Sequence, residues 1–249
     1  MAVIGIMDSG VGGLSVFKEI RKLLPDSRFI YFSDNAWCPY GEKSPEFITD
    51  RCRAITDLML SKGADAMVIA CNTATAAAIS TLRAEYDIPF VGMEPAVKPA
   101  ALGTRSGTIG VLATAGTLKG SKYLNTKGRF QDDVRIVEHV GKGFVELVES
   151  GELEGGHAEE VVRASLQPLL DAGADIIVLG CTHYPFLLPL LEKLACGKAE
   201  FIDPAPAVAR RLLAVMEENS IPAENEKPGV EFLSSAPSAR LKELAASLI

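Results

Sequence analysis

The sequence is poor in the residues that build metal sites and covalent cross-links. It contains three histidines and five cysteines among 249 residues, no two cysteines form a Cys-x-x-Cys pair, and His139, His157 and His183 lack the spacing of metal ligands. These spacings argue against a zinc site and a disulfide framework, and no metal is expected. An odd number of widely spaced cysteines predicts reduced thiols, as in a cytoplasmic protein.

An excess of positive charge and long apolar runs are also missing. The formal net charge is −7, with acidic and basic residues interspersed, so that no basic stripe indicates a nucleic-acid partner. No uncharged apolar stretch reaches the ~18 residues of a membrane-spanning helix. The apolar run at residues 1–7 lacks the basic start and the length of a signal peptide. We therefore expect neither a nucleic acid nor a membrane as partner.

The sequence does contain a regular alternation of short apolar runs with amphipathic segments. Ser44 followed by Pro45 predicts a helix start, because serine caps the first turn and proline is favoured within it. One face of that helix is apolar, with Ile48, Cys52, Ile55 and Met59. Strands are predicted at residues 2–7, 29–32, 66–70, 89–92, 108–112, 134–137, 176–180 and 201–202. Apolar strands separated by helices indicate parallel sheets covered on both faces.

The chain also resembles itself. Gly63-Ala64-Asp65, an apolar run and Cys71-Asn72-Thr73 reappear 110 residues later as Gly173-Ala174-Asp175, an apolar run and Cys181-Thr182-His183. Residues 4–9 and 109–114 form a second pair, and residues 90–95 and 201–204 a third, in the same order. A period of this length indicates duplicated domains and not a solenoid.

We therefore predict an α/β protein of two pseudo-symmetric doubly wound domains that face each other across a central cleft. The N-terminal domain is expected to comprise residues 1–96 and to be completed by the C-terminal segment 207–249. The second domain is expected to comprise residues 97–206.

Polar residues follow four of the predicted strands, where ligands bind in parallel α/β sheets. They are Asp8-Ser9, Cys71-Asn72-Thr73, Thr114 with Thr117, and Cys181-Thr182-His183. If the two halves face each other, the two cysteines flank one cleft from opposite sides. Inversion of an α-carbon needs such a pair, with one group removing a proton from one face and the other returning a proton to the opposite face.

Neighbouring groups in this pattern can assist the two thiols and hold a substrate. His183 can exchange a proton with Cys181, and Asp8 can serve Cys71 in the same way. A free thiol has a pKa of about 8.5, which a helix N-terminus lowers, and we expect a helix to begin after each cysteine. Carboxylate binding is expected from Ser9-Gly10, Asn72-Thr73 and Thr182 at helix N-termini. Tyr40-Gly41 can close over a side-chain carboxylate.

Simpler interpretations exist for several of these residues. A single buried cysteine is usually a small apolar core residue, and we expect that of Cys52 and Cys196, while Cys38 is expected to be a loop thiol. The glycine-rich segment after Asp8 can be a tight turn, because it lacks the spacing of a nucleotide-binding loop. His183 can be a helix-capping residue. Asp65 and Asp175 precede their strands and are expected to be turn residues.

The motifs together resemble the glutamate racemase family. They are Asp8-Ser9-Gly10-Val11-Gly12-Gly13-Leu14, Pro39-Tyr40-Gly41, Ala70-Cys71-Asn72-Thr73-Ala74, Gly180-Cys181-Thr182-His183-Tyr184-Pro185 and Asp203-Pro204-Ala205. The resemblance implies a racemase without pyridoxal phosphate, metal or any other cofactor, which makes D-glutamate for peptidoglycan and forms a homodimer. Within the family pattern, Cys71 deprotonates D-glutamate and Cys181 deprotonates L-glutamate, with Asp8 and His183 assisting. The implied substrate contacts are Asp8, Ser9, Pro39, Tyr40, Gly41, Cys71, Asn72, Thr73, Thr114, Thr117, Cys181, Thr182 and His183.

The chain departs from the family pattern at two places. The family's Phe-Gly-Asp-Thr stretch is Phe32-Ser33-Asp34-Asn35, and the segment before a functional glutamate reads His139-Val140-Gly141-Lys142-Gly143-Phe144. For that catalytic glutamate, Glu149 is the first candidate and Glu146 the second.

Three other functions fit parts of the pattern. A racemase of the same superfamily can act on aspartate or a hydantoin. A two-lobed amino-acid-binding module without catalysis also places ligands between α/β halves, although it has no need of paired thiols. A regulatory protein–protein role can be added to the racemase fold.

Overall fold

The computed structural model describes residues 2–246, which form two compact units. The first unit consists of the chain up to Met93 together with the chain from Ala205 onward, and the second consists of Glu94–Pro204. The sequence-based boundaries after residues 96 and 206 differ slightly, because the helix that returns the chain to the first unit already begins at Ala205. Residue 1 and residues 247–249, assigned to the N-terminal domain by the sequence, lie outside the described residues.

The first unit is built on a five-stranded parallel sheet. Its strands are β1 (Val3–Asp8), β2 (Arg28–Ser33), β3 (Ala66–Ile69), β4 (Phe90–Gly92) and β9 (Gly229–Ser234). Their order in the sheet is β4-β3-β1-β2-β9. Strand β1 lies in the middle, where Ile6 pairs with Tyr31 of β2 and with Val68 of β3.

Helices cover both faces of this sheet, which explains why its central strands are apolar on both sides. They are α1 (Leu14–Leu23), α2 (Pro45–Ser61), α3 (Asn72–Glu85), α10 (Ala205–Glu218) and α11 (Ala239–Ala246). Helices α2 and α3 pack together over one apolar cluster, and α1 packs against α10. Phe17 of α1 lies edge-on to Phe29 and Phe232 of the sheet.

The second unit has a four-stranded parallel sheet. Its strands are β5 (Thr108–Ala113), β6 (Arg135–Val140), β7 (Ile176–Gly180) and β8 (Glu200–Ile202), in the order β6-β5-β7-β8. Its helices are α4 (Val97–Gly103), α5 (Ala115–Lys119), α6 (Ser121–Phe130), α7 (Phe144–Ser150), α8 (Gly156–Asp171) and α9 (Leu188–Ala195).

The two sheets repeat one strand order, as the sequence echoes predict. The series β4-β3-β1-β2 in the first sheet corresponds to β8-β7-β5-β6 in the second. The echoed segments are β1 with β5, β3 with β7 and β4 with β8. The two cysteines therefore follow corresponding strands, β3 beside β1 and β7 beside β5. Strand β9, which the sequence analysis does not assign as a strand, extends the first sheet beside β2.

The aspartates that begin the echoed segments have matching structural roles. Asp65 Oδ2 accepts the N–H of Val3 at 2.8 Å, and Asp175 Oδ2 accepts the N–H groups of Arg105 and Ser106 at 2.7 and 2.8 Å. Each carboxylate therefore ties the start of one strand to the start of its neighbour, at the opposite end from the cysteines.

Two further predictions have different outcomes. The predicted start of α2 is confirmed, because Ser44 Oγ accepts the N–H of Phe47 at 3.2 Å. Cys52 is buried, as expected, but the expectation of a core position for Cys196 is wrong. Cys196 is exposed and ends α9 in the left-handed conformation, where its thiol donates to the Lys193 carbonyl.

Among the described residues, no helix has both the length and the apolar character needed to cross a bilayer.

Candidate active site

The Cys71 sulfur lies at the start of helix α3, directly after the end of strand β3. Cys71 is the N-cap residue, and its Sγ accepts the N–H of Ala74 at 3.4 Å. The thiol also lies 3.7 Å from Ser9 Oγ, to which it donates. An N–H donor and a helix N-terminus both stabilise negative charge on sulfur, so this position favours the thiolate.

Asp8 ends the neighbouring strand β1 and is fully buried. Its Oδ2 accepts the N–H of Gly10 at 3.0 Å, which folds the glycine-rich segment back over the strand end. A Cβ at Gly13 would lie 2.6 Å from Asp8 Cβ and 2.8 Å from the Tyr31 hydroxyl oxygen, too close for any side chain there. Glycine at position 13 therefore allows α1 to start against this carboxylate.

Asn72 follows Cys71 and has an unusual environment. Its side chain is buried, yet neither Oδ1 nor Nδ2 has a hydrogen-bond partner within residues 2–246. Buried amides are almost always hydrogen-bonded, and an unsatisfied one costs about 1–3 kcal/mol. The adjacent Thr73 is buried as well. The start of α3 therefore holds donor and acceptor groups suited to a polar ligand.

Tyr40 lies in a short 3-10 turn, Tyr40–Glu42, after β2. Its ring belongs to the apolar cluster of the first unit, and its hydroxyl donates a very short hydrogen bond to Asp34 Oδ2. Burial, followed by that hydrogen bond, raises the pKa of the Tyr40 phenol well above its usual range. The Tyr40 side chain is thus held inside the unit, while Pro39 and Gly41 are partly exposed on either side of it.

Asp34 is also bound by an arginine of helix α2. Arg51 Nε lies 2.8 Å from Asp34 Oδ2, and Arg51 Nη2 lies 2.7 Å from Oδ1. The Asp34 side chain is fully buried, and its hydrogen bonds raise the pKa of Arg51. No role is predictable for Asp34 or Arg51 from the sequence, because a single arginine on an amphipathic helix has the pattern of an ordinary solvated charge.

In the second unit, Cys181 follows the end of β7 and lies beside His183. The distance from Cys181 Sγ to His183 Nδ1 is 3.8 Å, and His183 Nε2 lies 2.7 Å from Glu149 Oε1. With Glu149 ionised, its oxygen accepts the Nε2–H of His183, which leaves Nδ1 able to take the proton of the thiol. The arrangement is a thiol–imidazole–carboxylate series with His183 almost completely buried.

The helix that was expected to begin directly after Cys181 does not form there. Residues Tyr184–Leu187 make a 3-10 turn, and α9 begins only at Leu188. Pro189, near the start of α9, has no N–H with which to continue the hydrogen bonds of that turn, so the helix starts anew. The expectation that an α-helix begins directly after Cys181 is therefore wrong, and His183 is a polar group next to its sulfur.

Glu149 and Glu146 lie on helix α7 with different exposures. Glu146 is exposed, whereas Glu149 is partly buried and contacts His183. Helix α7 packs against the Tyr184–Leu187 turn, where Phe144 lies edge-on to Tyr184 with 4.9 Å between ring centroids. The structure thus joins the first of the two candidate glutamates to the histidine.

The remaining predicted residues lie at the same end of the second sheet. Ala113 pairs with Gly180, so that Thr114 and Cys181 follow at adjacent strand ends. Thr114 caps α5, with its Oγ1 accepting the N–H of Thr117 at 3.2 Å and lying 2.9 Å from the Thr117 hydroxyl. Thr182 is buried next to Cys181. The second unit therefore gathers hydroxyl groups around its thiol, as the first unit gathers Ser9 and Asn72 around Cys71.

The chain is similar to known proteins of one family. A model of the Asp/Glu/hydantoin racemase family matches residues 4–212. A glutamate racemase from Ectopseudomonas mendocina is 47% identical over 249 residues, which cover 100% of this chain and 95% of the relative. The crystal structure of Escherichia coli glutamate racemase in complex with L-glutamate and the activator UDP-MurNAc-Ala is 35% identical with a TM-score of 0.89, covering 99% of this chain and 95% of that one.

A third relative gives the same result. The structure of glutamate racemase from Francisella tularensis in complex with D-glutamate is 27% identical with a TM-score of 0.84, and the match covers 99% of this chain and 93% of that one. The sequence motifs, the duplicated strand order and these similarities lead to one conclusion. The chain belongs to the Asp/Glu/hydantoin racemase family, among its glutamate racemases.

Proposed function

We propose that this protein is a glutamate racemase that interconverts L- and D-glutamate with two thiols as its acid and base. The observation that carries the proposal is the equivalent placement of Cys71 and Cys181, which follow the corresponding strands β3, beside β1, and β7, beside β5. Pure ligand binding gives no reason for two thiols at equivalent strand ends. Two-base proton transfer requires such a pair, with one group charged and the other protonated at the start.

In the proposed reaction from L- to D-glutamate, the Cys181 thiolate removes the α-proton and the Cys71 thiol donates a proton to the opposite face. No atom other than the two protons is transferred. After this turnover Cys181 is the thiol and Cys71 is the thiolate, which is the state that reacts with D-glutamate. His183 and Glu149 support Cys181 through the contacts described above, because His183 Nδ1 can hold the thiol proton. Ser9 contacts Cys71, and Asp8, which precedes Ser9 at the end of β1, is proposed to assist the same thiol. Solvent-derived protons enter through these thiols.

Glutamate is the proposed substrate because the groups around the thiols suit a small molecule with two carboxylates and an ammonium group. The unpartnered amide of Asn72 offers a donor and an acceptor, and Thr73, Thr114, Thr117 and Thr182 offer hydroxyls. Pro39, Tyr40 and Gly41 are proposed to line the position of the side-chain carboxylate. Two relatives were crystallised with L- and D-glutamate, which supports the same choice.

The biological setting is proposed on the same grounds. D-glutamate made by this enzyme would be used in peptidoglycan synthesis, and we expect a cytoplasmic homodimer without a nucleic-acid or membrane partner. The reaction as proposed needs no cofactor, since both protons are carried by side chains of the chain itself.

The function is tested by proton NMR of L-glutamate with purified protein in deuterated buffer and without added cofactor. We expect loss of the Cα–H signal and formation of D-glutamate, with little turnover of L-aspartate under the same conditions. Serine in place of either Cys71 or Cys181 should suppress racemisation. A clear preference for aspartate would overturn the substrate assignment, and wild-type turnover by both serine variants would overturn the two-thiol assignment.

A further inference from the structure

Arg51, Asp34 and Tyr40 form a hydrogen-bonded series that leads from helix α2 to the segment proposed to hold the substrate side chain. The Arg51 guanidinium binds both carboxylate oxygens of Asp34 in a two-point fork, at 2.8 and 2.7 Å. The Tyr40 hydroxyl donates to the same carboxylate. Asp34 therefore receives at least three charge-assisted or short hydrogen bonds, and it is completely buried.

The surroundings fix this series from both sides. The Asp34 N–H donates to the Asp8 carbonyl at 2.9 Å, which ties the segment to the end of the central strand. The Trp37 N–H donates to the Asp34 carbonyl at 3.0 Å, and the Arg51 guanidinium lies 6.0 Å from the centroid of the Trp37 ring. Asp34 is thus held through its main chain and its side chain together.

This geometry limits what Tyr40 can offer a substrate. Its ring is packed in the core and its hydroxyl is engaged by Asp34, so its main chain, with that of Gly41, is the part left to face a ligand. The position of that main chain depends on where the Tyr40 ring is held. The ring is held in turn by a carboxylate whose orientation the Arg51 fork determines.

We propose that Arg51 is a positioning residue, which acts through Asp34 and Tyr40 to place the Pro39-Tyr40-Gly41 main chain for recognition of the side-chain carboxylate of glutamate. The inference rests on the proposed function, because that function assigns this segment to the substrate. Arg51 itself touches no reacting atom in this account. Its effect is therefore on substrate affinity and leaves the proton-transfer step unchanged.

The test compares Arg51→Lys with Arg53→Lys, a matched control on the same helix. Arg53 binds Glu85 with the same two-point fork, at 2.8 and 2.6 Å, but on the exposed surface. Lysine keeps the positive charge beside Asp34 and removes the fork, so folding is expected to survive. Calorimetry gives Kd for L-glutamate, a turnover assay gives kcat and KM, and thermal unfolding gives the midpoint.

For Arg51→Lys we expect Kd and KM to rise about tenfold, which corresponds to about 1.4 kcal/mol, with kcat within about twofold of the wild type. Arg53→Lys should leave Kd, KM and kcat unchanged. Tyr40→Phe, which removes the donor to Asp34, should raise Kd in the same direction. The double variant Arg51→Lys with Tyr40→Phe should be less impaired than the two single effects combined, because both act through one carboxylate.

The outcomes separate this inference from the proposed function. Wild-type protein that binds glutamate without racemising it would overturn the function, while the Kd values would still decide the role of Arg51. A lowered unfolding midpoint with unchanged Kd for Arg51→Lys would show a merely structural ion pair and overturn the inference. The inference about Arg51 would also be overturned by equal Kd changes for Arg51→Lys and Arg53→Lys, or by a loss confined to kcat. Wild-type protein that binds no glutamate would overturn it too.

Discussion

At the scale of single residues, the two thiols proposed as acid and base lie in different surroundings. Cys71 receives an N–H from the first turn of α3, whereas Cys181 has the His183 imidazole at 3.8 Å. Backbone donors stabilise a thiolate directly, and an imidazole does so by taking the proton. In the proposed reaction, the His183–Glu149 pair therefore supports Cys181, and replacement of either residue should lower turnover.

Replacement of His183 by Asn should lower kcat about 100-fold, because a positioned proton-transfer group contributes roughly that much or more. Glu149→Gln removes the negative charge that holds His183 and should lower kcat about tenfold. The loss is smaller than for His183→Asn because Glu149 acts on Cys181 only through its hydrogen bond to His183. Glu146→Gln, on the exposed side of α7, should retain the wild-type kcat. Polarimetric assay of both directions measures these values, and a larger loss for Glu146→Gln than for Glu149→Gln would exchange the two roles.

Asp175 provides a pH-dependent test of the strand connection in the second unit. Burial opposes ionisation, but hydrogen bonds from Thr104, Arg105 and Ser106 outweigh it and lower the Asp175 pKa from 3.8 to about 2. Because the folded pKa is the lower one, the stabilisation is fully present above pH 3.8 and is lost as the pH falls towards 2. Partial exposure reduces the expected contribution to about 1 kcal/mol.

Asp175→Asn should therefore unfold at a lower urea concentration than the wild type at pH 7. Urea titrations from pH 7 down to pH 2.5 should show the difference in unfolding free energy shrinking below about pH 4. A difference that stays constant over that range, or grows as the pH falls, would show that ionisation of Asp175 does not stabilise the fold.

The residues that the sequence alone identifies are those tied to a repeated or contiguous pattern. Cys71 and Cys181 stand at equivalent places in the internal repeat, and His183 follows its cysteine by two positions. The choice between Glu146 and Glu149 depends on which side of α7 faces His183, which is decided by packing between distant segments. Arg51 could not be found, because the buried carboxylate that it binds is recognisable only after folding.

At the scale of elements, helix α7 depends on a close approach to the turn after Cys181. Tyr184 is fully buried and donates to the Gly141 carbonyl at 3.3 Å. A Cβ at Gly141 would lie 2.5 Å from the Tyr184 hydroxyl oxygen. This segment, where the sequence departs from the family pattern, therefore requires glycine so that α7 can bring Glu149 to His183.

Gly141→Ala should cost about 1–3 kcal/mol, because the added methyl group forces Tyr184 or the α7 connection to move. It should also lower kcat, as Glu149 is displaced. Gly128→Ala is a suitable control within α6, since a Cβ there has no described atom within 4 Å and alanine favours a helix by up to about 1 kcal/mol. Unfolding midpoints and turnover test both, and equal effects of the two substitutions would refute the packing argument.

Elements were predictable where the local pattern is strong. The central strands are continuous apolar runs, and α2 has its cap, its proline and its buried face in sequence order. Strand β9 was missed because it is a half-buried edge strand, and its pairing with β2 joins segments far apart in the chain. The 3-10 turn after Cys181 was missed because the internal repeat suggested a helix like α3.

At the scale of the whole molecule, one strand order occurs twice and each copy contributes a thiol. Duplication explains why two cysteines 110 residues apart have equivalent positions, and why their supporting groups differ in detail. The duplication of the α/β fold was predictable from the sequence because the repeat spans both units, and the family was predictable from its motifs. The internal repeat does not indicate which substrate is bound. Glutamate is proposed from the family motifs, from the polar groups near the two thiols and from the relatives.

The central claim is that two thiols serve opposite faces of one α-carbon, and the position of deuterium during the first turnovers tests it most directly. L-glutamate is incubated in deuterated buffer, and the Cα–H content of the remaining L-glutamate and of the new D-glutamate is measured by NMR at low conversion. We expect deuterium in nearly all of the D-glutamate and almost none in the remaining L-glutamate. Deuterium appearing equally fast in both enantiomers would contradict it, because one group would then both remove and return the proton.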